Sequence, residues 1–201
     1  YSTFRVHVSD LLEKDNQLTV EVDNSINDRV YPQKADFTFY GGIYRDISLM
    51  VVSRNHIALG HFGDTGVKIT PALKDGKADI RVETIVEGEG AVSVELQDAA
   101  GSIVARAEGA DAQLHLDAPH LWDGVKDPYL YTCVVRLRSD GTVVDEVSTR
   151  VGLRTFSVDA KKGFFLNGRP YPLHGVSRHQ DRKGVGNAIT RAMHDEDMAL
   201  I

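Results

Sequence analysis

Three side chains that could bind a ligand or transfer a proton stand close together near the end of the sequence, Arg178, His179 and Asp181. They follow a short apolar run, residues 171–176, whose composition predicts a β-strand. A polar cluster directly after a strand is where α/β barrels place their chemistry. The same spacing fits a solvated polar loop after a hairpin, and from spacing alone we favour this simpler interpretation.

Other side chains with ligand chemistry do not form recognisable sites. The remaining histidines lack the His-Glu-x-x-His form and a cysteine partner, and their spacing is too loose to specify zinc. The run Gly184-Val185-Gly186 lacks the Lys-Ser/Thr of a phosphate-binding loop. We therefore expect neither a metal site nor a cofactor site in this chain.

Alternation of apolar and polar residues runs through most of the sequence and predicts strands. Near the beginning, strands are predicted at residues 4–8, 18–22 and 43–52. Between the second and third of these lies an irregular polar loop, residues 23–39, which contains Asp36. A loop of that length inside a compact domain is usually functional or disordered.

The central part of the chain predicts an immunoglobulin-like β-sandwich, because seven short alternating strands occur within about 100 residues. Turn dipeptides such as Asp75-Gly76 and Asp140-Gly141 separate these strands, and Asn167-Gly168 predicts a further tight hairpin. Cys133 lies on the apolar face of one strand, so we interpret it as a core residue. The seven strands are predicted at residues 67–70, 78–86, 92–98, 102–107, 113–116, 129–138 and 143–151.

The period changes only at the end, where Asp195, Glu196 and Asp197 predict the first turn of a helix that runs on to Ile201. A strand, a loop and a helix make the first unit of a βα barrel. Because the chain starts at Tyr1 and stops within an apolar helical pattern, we expect it to be part of a longer protein.

Composition excludes some functions. The net charge of −6 and the absence of a basic cluster argue against nucleic-acid binding. No apolar run is long enough to span a membrane, and no signal-peptide pattern is present. Because Cys133 is the single cysteine, no disulfide framework is possible, which fits a reducing compartment, and we expect a cytoplasmic protein.

Several motifs together resemble the family 2 glycoside hydrolases, the β-galactosidase and β-glucuronidase group. Leu-Asn-Gly-Arg-Pro (166–170) and His-Gly-Val-Ser-Arg-His (174–179) are similar to the entry into the catalytic barrel of that family. Leu-Trp (121–122) and Gly-Leu-Arg (152–154) are similar to its sandwich domain, and Gly-Ile-Tyr-Arg-Asp (42–46) to its sugar-binding domain.

The resemblance implies three domains in a mainly β chain. Residues 1–52 would be the C-terminal part of a jelly-roll sugar-binding domain. Residues 53–154 would be the immunoglobulin-like sandwich, and residues 155–201 the start of a TIM barrel. The complete protein would bind a carbohydrate, could form a homo-oligomer and could use Mg²⁺ or Na⁺ ions.

The resemblance also implies which residues contribute to the reaction. The family uses two glutamates, and the proton donor follows an asparagine. This sequence contains no Asn-Glu pair, so we expect no catalytic residue within it and no activity from it alone.

Two residues match sugar-binding positions of the family, Asp36 and His179. A carboxylate is a good acceptor for adjacent sugar hydroxyls, and an imidazole can hydrogen-bond the sugar and the charge that develops beside it. The alternatives are a turn-forming aspartate and a solvated loop histidine. Arg45 and Asp46 are interpreted as a structural ion pair or as turn contacts.

The substrate predicted from residues 174–181 is a β-galactoside, because the sequence of this segment is closer to that of β-galactosidases. Within the family, a β-glucuronidase is the alternative. Outside it, the alternative is a non-catalytic β-sandwich module that binds carbohydrate or a protein, although such a module has no need of the barrel-like tail.

Overall fold

The computed structural model describes residues 3–29, 38–60 and 63–201. Within them, the alternating pattern of the central chain forms nine strands. These are β1 (His56–Ile57), β2 (Val67–Lys74), β3 (Lys77–Thr84), β4 (Val86–Glu87), β5 (Ala91–Gln97), β6 (Ile103–Glu108), β7 (Asp111–Leu116), β8 (Tyr131–Ser139) and β9 (Thr142–Val151).

The longer strands form the two sheets of a sandwich, in the orders β2-β3-β7 and β6-β5-β8-β9, and all the neighbouring strands are antiparallel. The chain is therefore mainly β, and the predicted immunoglobulin-like sandwich is confirmed. All seven predicted strands are present, with ends shifted by a few residues. The short strands β1 and β4, which pair with each other, were not predicted.

The core lies between the sheets, where the inward residues of both are removed from water. Cys133 is fully buried, as predicted, and burial raises the pKa of its thiol to about 11. Each fully buried aliphatic side chain contributes roughly 1.5–3 kcal/mol to folding. The core residues of the central strands are Ala78, Ile80, Val82, Val92, Val94, Leu96, Tyr131, Cys133, Val135 and Leu137.

After the sandwich, β10 (Phe156–Asp159), β11 (Gly163–Leu166) and β12 (Arg169–Pro170) form a small antiparallel sheet. The turn between β11 and β12 is the predicted Asn167-Gly168 hairpin, in which both residues have positive φ, +48° and +74°. Two consecutive positive φ values are the mark of a type I′ turn, which Asn-Gly favours.

The hairpin is held to the sandwich by polar contacts. Asn167 donates from its amide nitrogen to the Trp122 carbonyl at 3.0 Å and accepts from the Thr155 backbone N–H at 3.0 Å. Arg169 pairs with Asp123 at 2.5 Å, and this interaction lowers the pKa of the Asp123 carboxyl. Trp122 is half-buried beneath the Arg154 guanidinium.

The predicted strands at residues 4–8, 18–22 and 43–52 do not form. The described residues before His56 contain no strand, and their apolar side chains are exposed, with Phe4 83% and Leu18 76% accessible. A strand requires a neighbouring backbone to bond and a core to cover its apolar face. Among the described residues, nothing provides either for these segments.

Two further expectations near the end are corrected. Residues 171–176 are not a strand: within the described chain only the Tyr171 N–H donates to a strand, at the Phe164 carbonyl of β11, and Leu173 and Val176 are exposed. The only α-helix of the described residues, α1 (Arg191–Leu200), begins four residues before the acidic cluster. Thr190 is the N-cap and accepts from the Met193 backbone N–H, so the cluster lies in the helix interior.

The chain divides into two compact units. The first unit contains the described residues of Tyr1–Val8 and Val51–Leu173, and the second those of Ser9–Met50 and His174–Ile201. No helix in the described ranges is long and apolar enough to cross a membrane.

Candidate functional site

In the second unit, α1 and the loop before it (residues 174–190) place the side chains that sequence analysis selected. Thr190 caps the helix, and helical spacing then places His194 and Asp197, three residues apart, on one face. This face meets Arg178, which directly precedes His179 in the loop.

Arg178 is anchored to the helix by three N–H groups. Nε donates to Oδ2 of Asp197 at 2.9 Å, Nη2 donates to the same oxygen, and Nη1 donates to Nδ1 of His194 at 3.1 Å. A guanidinium only donates, so Nδ1 of His194 is the acceptor in this contact. The hydrogen bonds from Arg178 lower the pKa of Asp197 below its usual value.

A second ion pair joins the loop to the helix, because Arg182 contacts Glu196 at 2.7 Å. The backbones of Arg182 and Gly186 also bond to each other in both directions, at 3.1 and 2.9 Å. This closes a tight turn in which Gly184 has a φ of +91°. The two ion pairs and the turn give the loop a defined path without a sheet.

The segment after residue 37 packs against this loop. A Cβ added to Gly186 would lie only 2.8 Å from Cε1 of Tyr40, so a residue without a side chain is needed there. Arg45 donates to the carbonyls of Asn187 at 2.7 Å and Tyr44 at 3.1 Å. Both of these Arg45 contacts are to backbone carbonyls, and Arg45 has no ion pair among the described residues.

Of the predicted sugar-binding residues, His179 lies on this loop and is exposed, next to the anchored Arg178. Asp36 lies outside the described residues, so its approach to His179 stays a prediction. Beside His179 is an open depression of about 400 Å³. It is lined by Val176, Ser177, Arg178, His179, Asp197, Leu200 and Ile201.

The chemistry available at this site is hydrogen bonding to a polar ligand through an exposed imidazole. The described residues contain no group of three or more histidine, cysteine or carboxylate side chains placed to hold a metal ion. Sequence analysis missed the contact between Arg178 and Asp197. The three-residue spacing of His194 and Asp197 was visible, but their partner lies outside the helix pattern.

The comparison with protein families places residues 61–154 in the family described as "Glycosyl hydrolases family 2". This range lies within the sandwich region of the chain.

Individual relatives extend the match to the whole chain. A β-glucuronidase of Bacteroides fragilis is 33% identical over 100% of this chain, which spans 32% of that protein. The β-galactosidase BoGH2A of Bacteroides ovatus is 35% identical over 96% of this chain, which spans 24% of it. The chain thus spans 24–32% of the length of these curated relatives.

A solved structure shows the same fold. The crystal structure of an FMN-binding β-glucuronidase from Facaelibacterium prausnitzii L2-6 aligns with a TM-score of 0.82 and 36% identity. The alignment covers 89% of this chain and 29% of that one.

Proposed function

The chain belongs to the glycosyl hydrolases of family 2, and from this premise we propose that it is part of a retaining β-glycosidase that removes terminal β-linked sugars. Such an enzyme needs two carboxylates about 5–5.5 Å apart, a proton donor and a nucleophile. The sequence has no Asn-Glu pair. In this proposal the chain supplies scaffold and sugar contacts, and the carboxylate pair belongs to the part of the relatives that the chain does not span.

The proposed substrate is a β-glucuronide. What supports this is the pair of β-glucuronidases, one matched over the whole chain and one over 89% of it with a TM-score of 0.82. They favour the alternative within the family, a β-glucuronidase, over the β-galactosidase that the sequence of residues 174–181 predicts. A β-galactoside is the second candidate, because the Bacteroides ovatus β-galactosidase is 35% identical.

The sugar contacts are assigned to His179 and Asp36. The observation that carries this assignment is the packing of Tyr40 against Gly186, together with the hydrogen bond from Arg45 to Asn187. Residues shortly after Asp36 thereby contact the loop shortly after His179. This supports one sugar site to which both residues contribute. In it, the Asp36 carboxylate accepts from sugar hydroxyls, and the His179 imidazole hydrogen-bonds another polar group of the sugar.

The proposal is tested by comparing two aryl glycosides on the complete protein that contains this chain. We expect kcat/KM for an aryl β-glucuronide to exceed that for the matching aryl β-galactoside by at least about a hundredfold, since a site built for a carboxylate leaves polar groups unpaired with the other sugar. The reverse ratio would favour the second candidate. No turnover of either glycoside by the complete protein would contradict the proposed activity.

A further inference from the structure

We propose that Arg178 is a positioning residue for sugar binding. Its guanidinium, held by Asp197 and His194 of α1, fixes the backbone from which the adjacent His179 reaches the substrate. The inference rests on the proposed sugar contact of His179 and adds the residues that hold this histidine in place.

The first argument is the geometry of the anchor. The Arg178 side chain is only 20% exposed and uses three of its N–H groups on two side chains of one rigid helix. A guanidinium is a planar fork, so bonds on two of its sides fix its orientation as well as its position. One peptide unit separates this fixed residue from His179.

The second argument is what the loop lacks. Residues 171–179 form no strand in the structure, so no ladder of backbone hydrogen bonds holds the stretch that carries His179. A residue that must place a polar group on a substrate depends on supporting contacts that lock it. The contact of Arg178 with Asp197 is such a contact, and it acts directly beside His179.

The pair of Arg182 and Glu196 provides a matched control. It also joins the loop to α1, but it is more exposed, at 36% and 59%, and lies three residues beyond His179. Removing this ion pair should loosen the loop near Arg182 and leave the contact between Arg178 and Asp197 intact. A general need for loop-to-helix ion pairs would affect both pairs, whereas the positioning role affects only one.

The test measures kcat/KM for the aryl glycoside that the complete protein prefers, with melting temperatures recorded in parallel. We expect Arg178→Gln and Asp197→Asn each to lower kcat/KM by roughly tenfold to a hundredfold, the size associated with a small misplacement of a binding group. Arg178→Lys should recover little, because it keeps the charge but loses the fork. Glu196→Gln should stay within about threefold of the wild type.

The decisive comparison is made in a His179→Ala background. If Arg178 acts through His179, Arg178→Gln should then cost less than about twofold, because coupled residues are not additive. The same variant losing its full factor in that background would overturn the positioning role while leaving the proposed function intact. Near-normal activity of His179→Ala itself would instead contradict the proposed sugar contact, and the positioning role with it.

Discussion

At the scale of single residues, Asn167 shows how one side chain can fix both a turn and a junction. Its φ of +48° is a conformation that asparagine tolerates better than most residues. Its amide also bonds Thr155, directly before β10, and Trp122, which belongs to the sandwich side of the junction. The turn could be predicted from the Asn-Gly dipeptide, but the junction could not, because Trp122 is distant in sequence.

We predict that Asn167→Gly lowers the free energy of unfolding of the chain by about 1–3 kcal/mol, the cost of leaving polar groups without partners. Glycine keeps the positive φ, so the variant removes only the side-chain bonds. Asp75→Gly is the matched control, because Asp75 has a φ of +50° in an equivalent two-residue turn. Urea unfolding measures both variants. Equal losses in the two would show that the Asn167 bonds add nothing.

A second prediction concerns His115, on the outer face of the sandwich. Its Nδ1 contacts Asp79 at 2.8 Å and its Nε2 contacts Asp117 at 3.3 Å, while Asp117 also pairs with Lys77. The hydrogen bond with Asp79, followed by that with Asp117, raises the pKa of His115 above its usual 6.5. The imidazolium form is therefore favoured by folding.

Because the folded pKa is raised, this contribution to stability is complete below pH 6.5 and is lost as the pH rises through the folded value. We expect the stability advantage of the wild type over His115→Gln to be greatest between about pH 5 and 6.5 and to vanish at higher pH. NMR titration of the ring should show the raised pKa in the wild type, and Asp79→Asn should lower it. A His115 pKa at or below 6.5 would refute the assignment.

At the scale of elements, pairing separates the parts that fold as predicted from those that do not. The central strands β3, β5 and β8 each have a neighbour on both sides and an apolar face in the core. Residues 172–176 have comparable apolar content but belong to no strand pair within the described chain. Protection of backbone amides should follow this difference rather than hydrophobicity.

We therefore expect slow hydrogen exchange in β3, β5 and β8, near the limit set by global unfolding, and fast exchange at residues 173–176. Exchange followed by mass spectrometry on the chain at low concentration measures this. The edge strands β2 and β6 serve as internal references, because each is paired on one side only. Protection at residues 173–176 equal to that of β8 would contradict the account.

The same physics explains how much could be predicted from the sequence. Alternation and turn dipeptides are local signals, so the seven sandwich strands and the Asn167-Gly168 hairpin could be predicted. The same local signals also predicted strands at residues 4–8, 18–22 and 43–52, which do not form. A strand also needs a partner, and a local pattern does not show whether one is available. The predicted start of the helix was wrong because it was placed at the acidic cluster, whereas the N-cap is Thr190.

At the scale of the whole molecule, the family is established and the activity is a proposal. The motifs of residues 166–179 were enough to predict the family, because they are specific in combination. They were not enough to predict the sugar, because the relatives favour β-glucuronides while the sequence of residues 174–181 favours β-galactosides. The predicted domain boundaries at residues 52 and 154, and the cytoplasmic location, stay predictions.

The central claim is that Asp36 and His179 bind the same sugar in the complete protein. It is tested most directly by measuring kcat/KM and the melting temperature of Asp36→Asn and His179→Ala. Loss of a hydrogen bond to a sugar hydroxyl costs about 1–3 kcal/mol, so each variant should lose roughly tenfold to a hundredfold in kcat/KM with little change in melting temperature. Near-normal activity in both variants, or lost activity accompanied by a large drop in melting temperature, would contradict the claim.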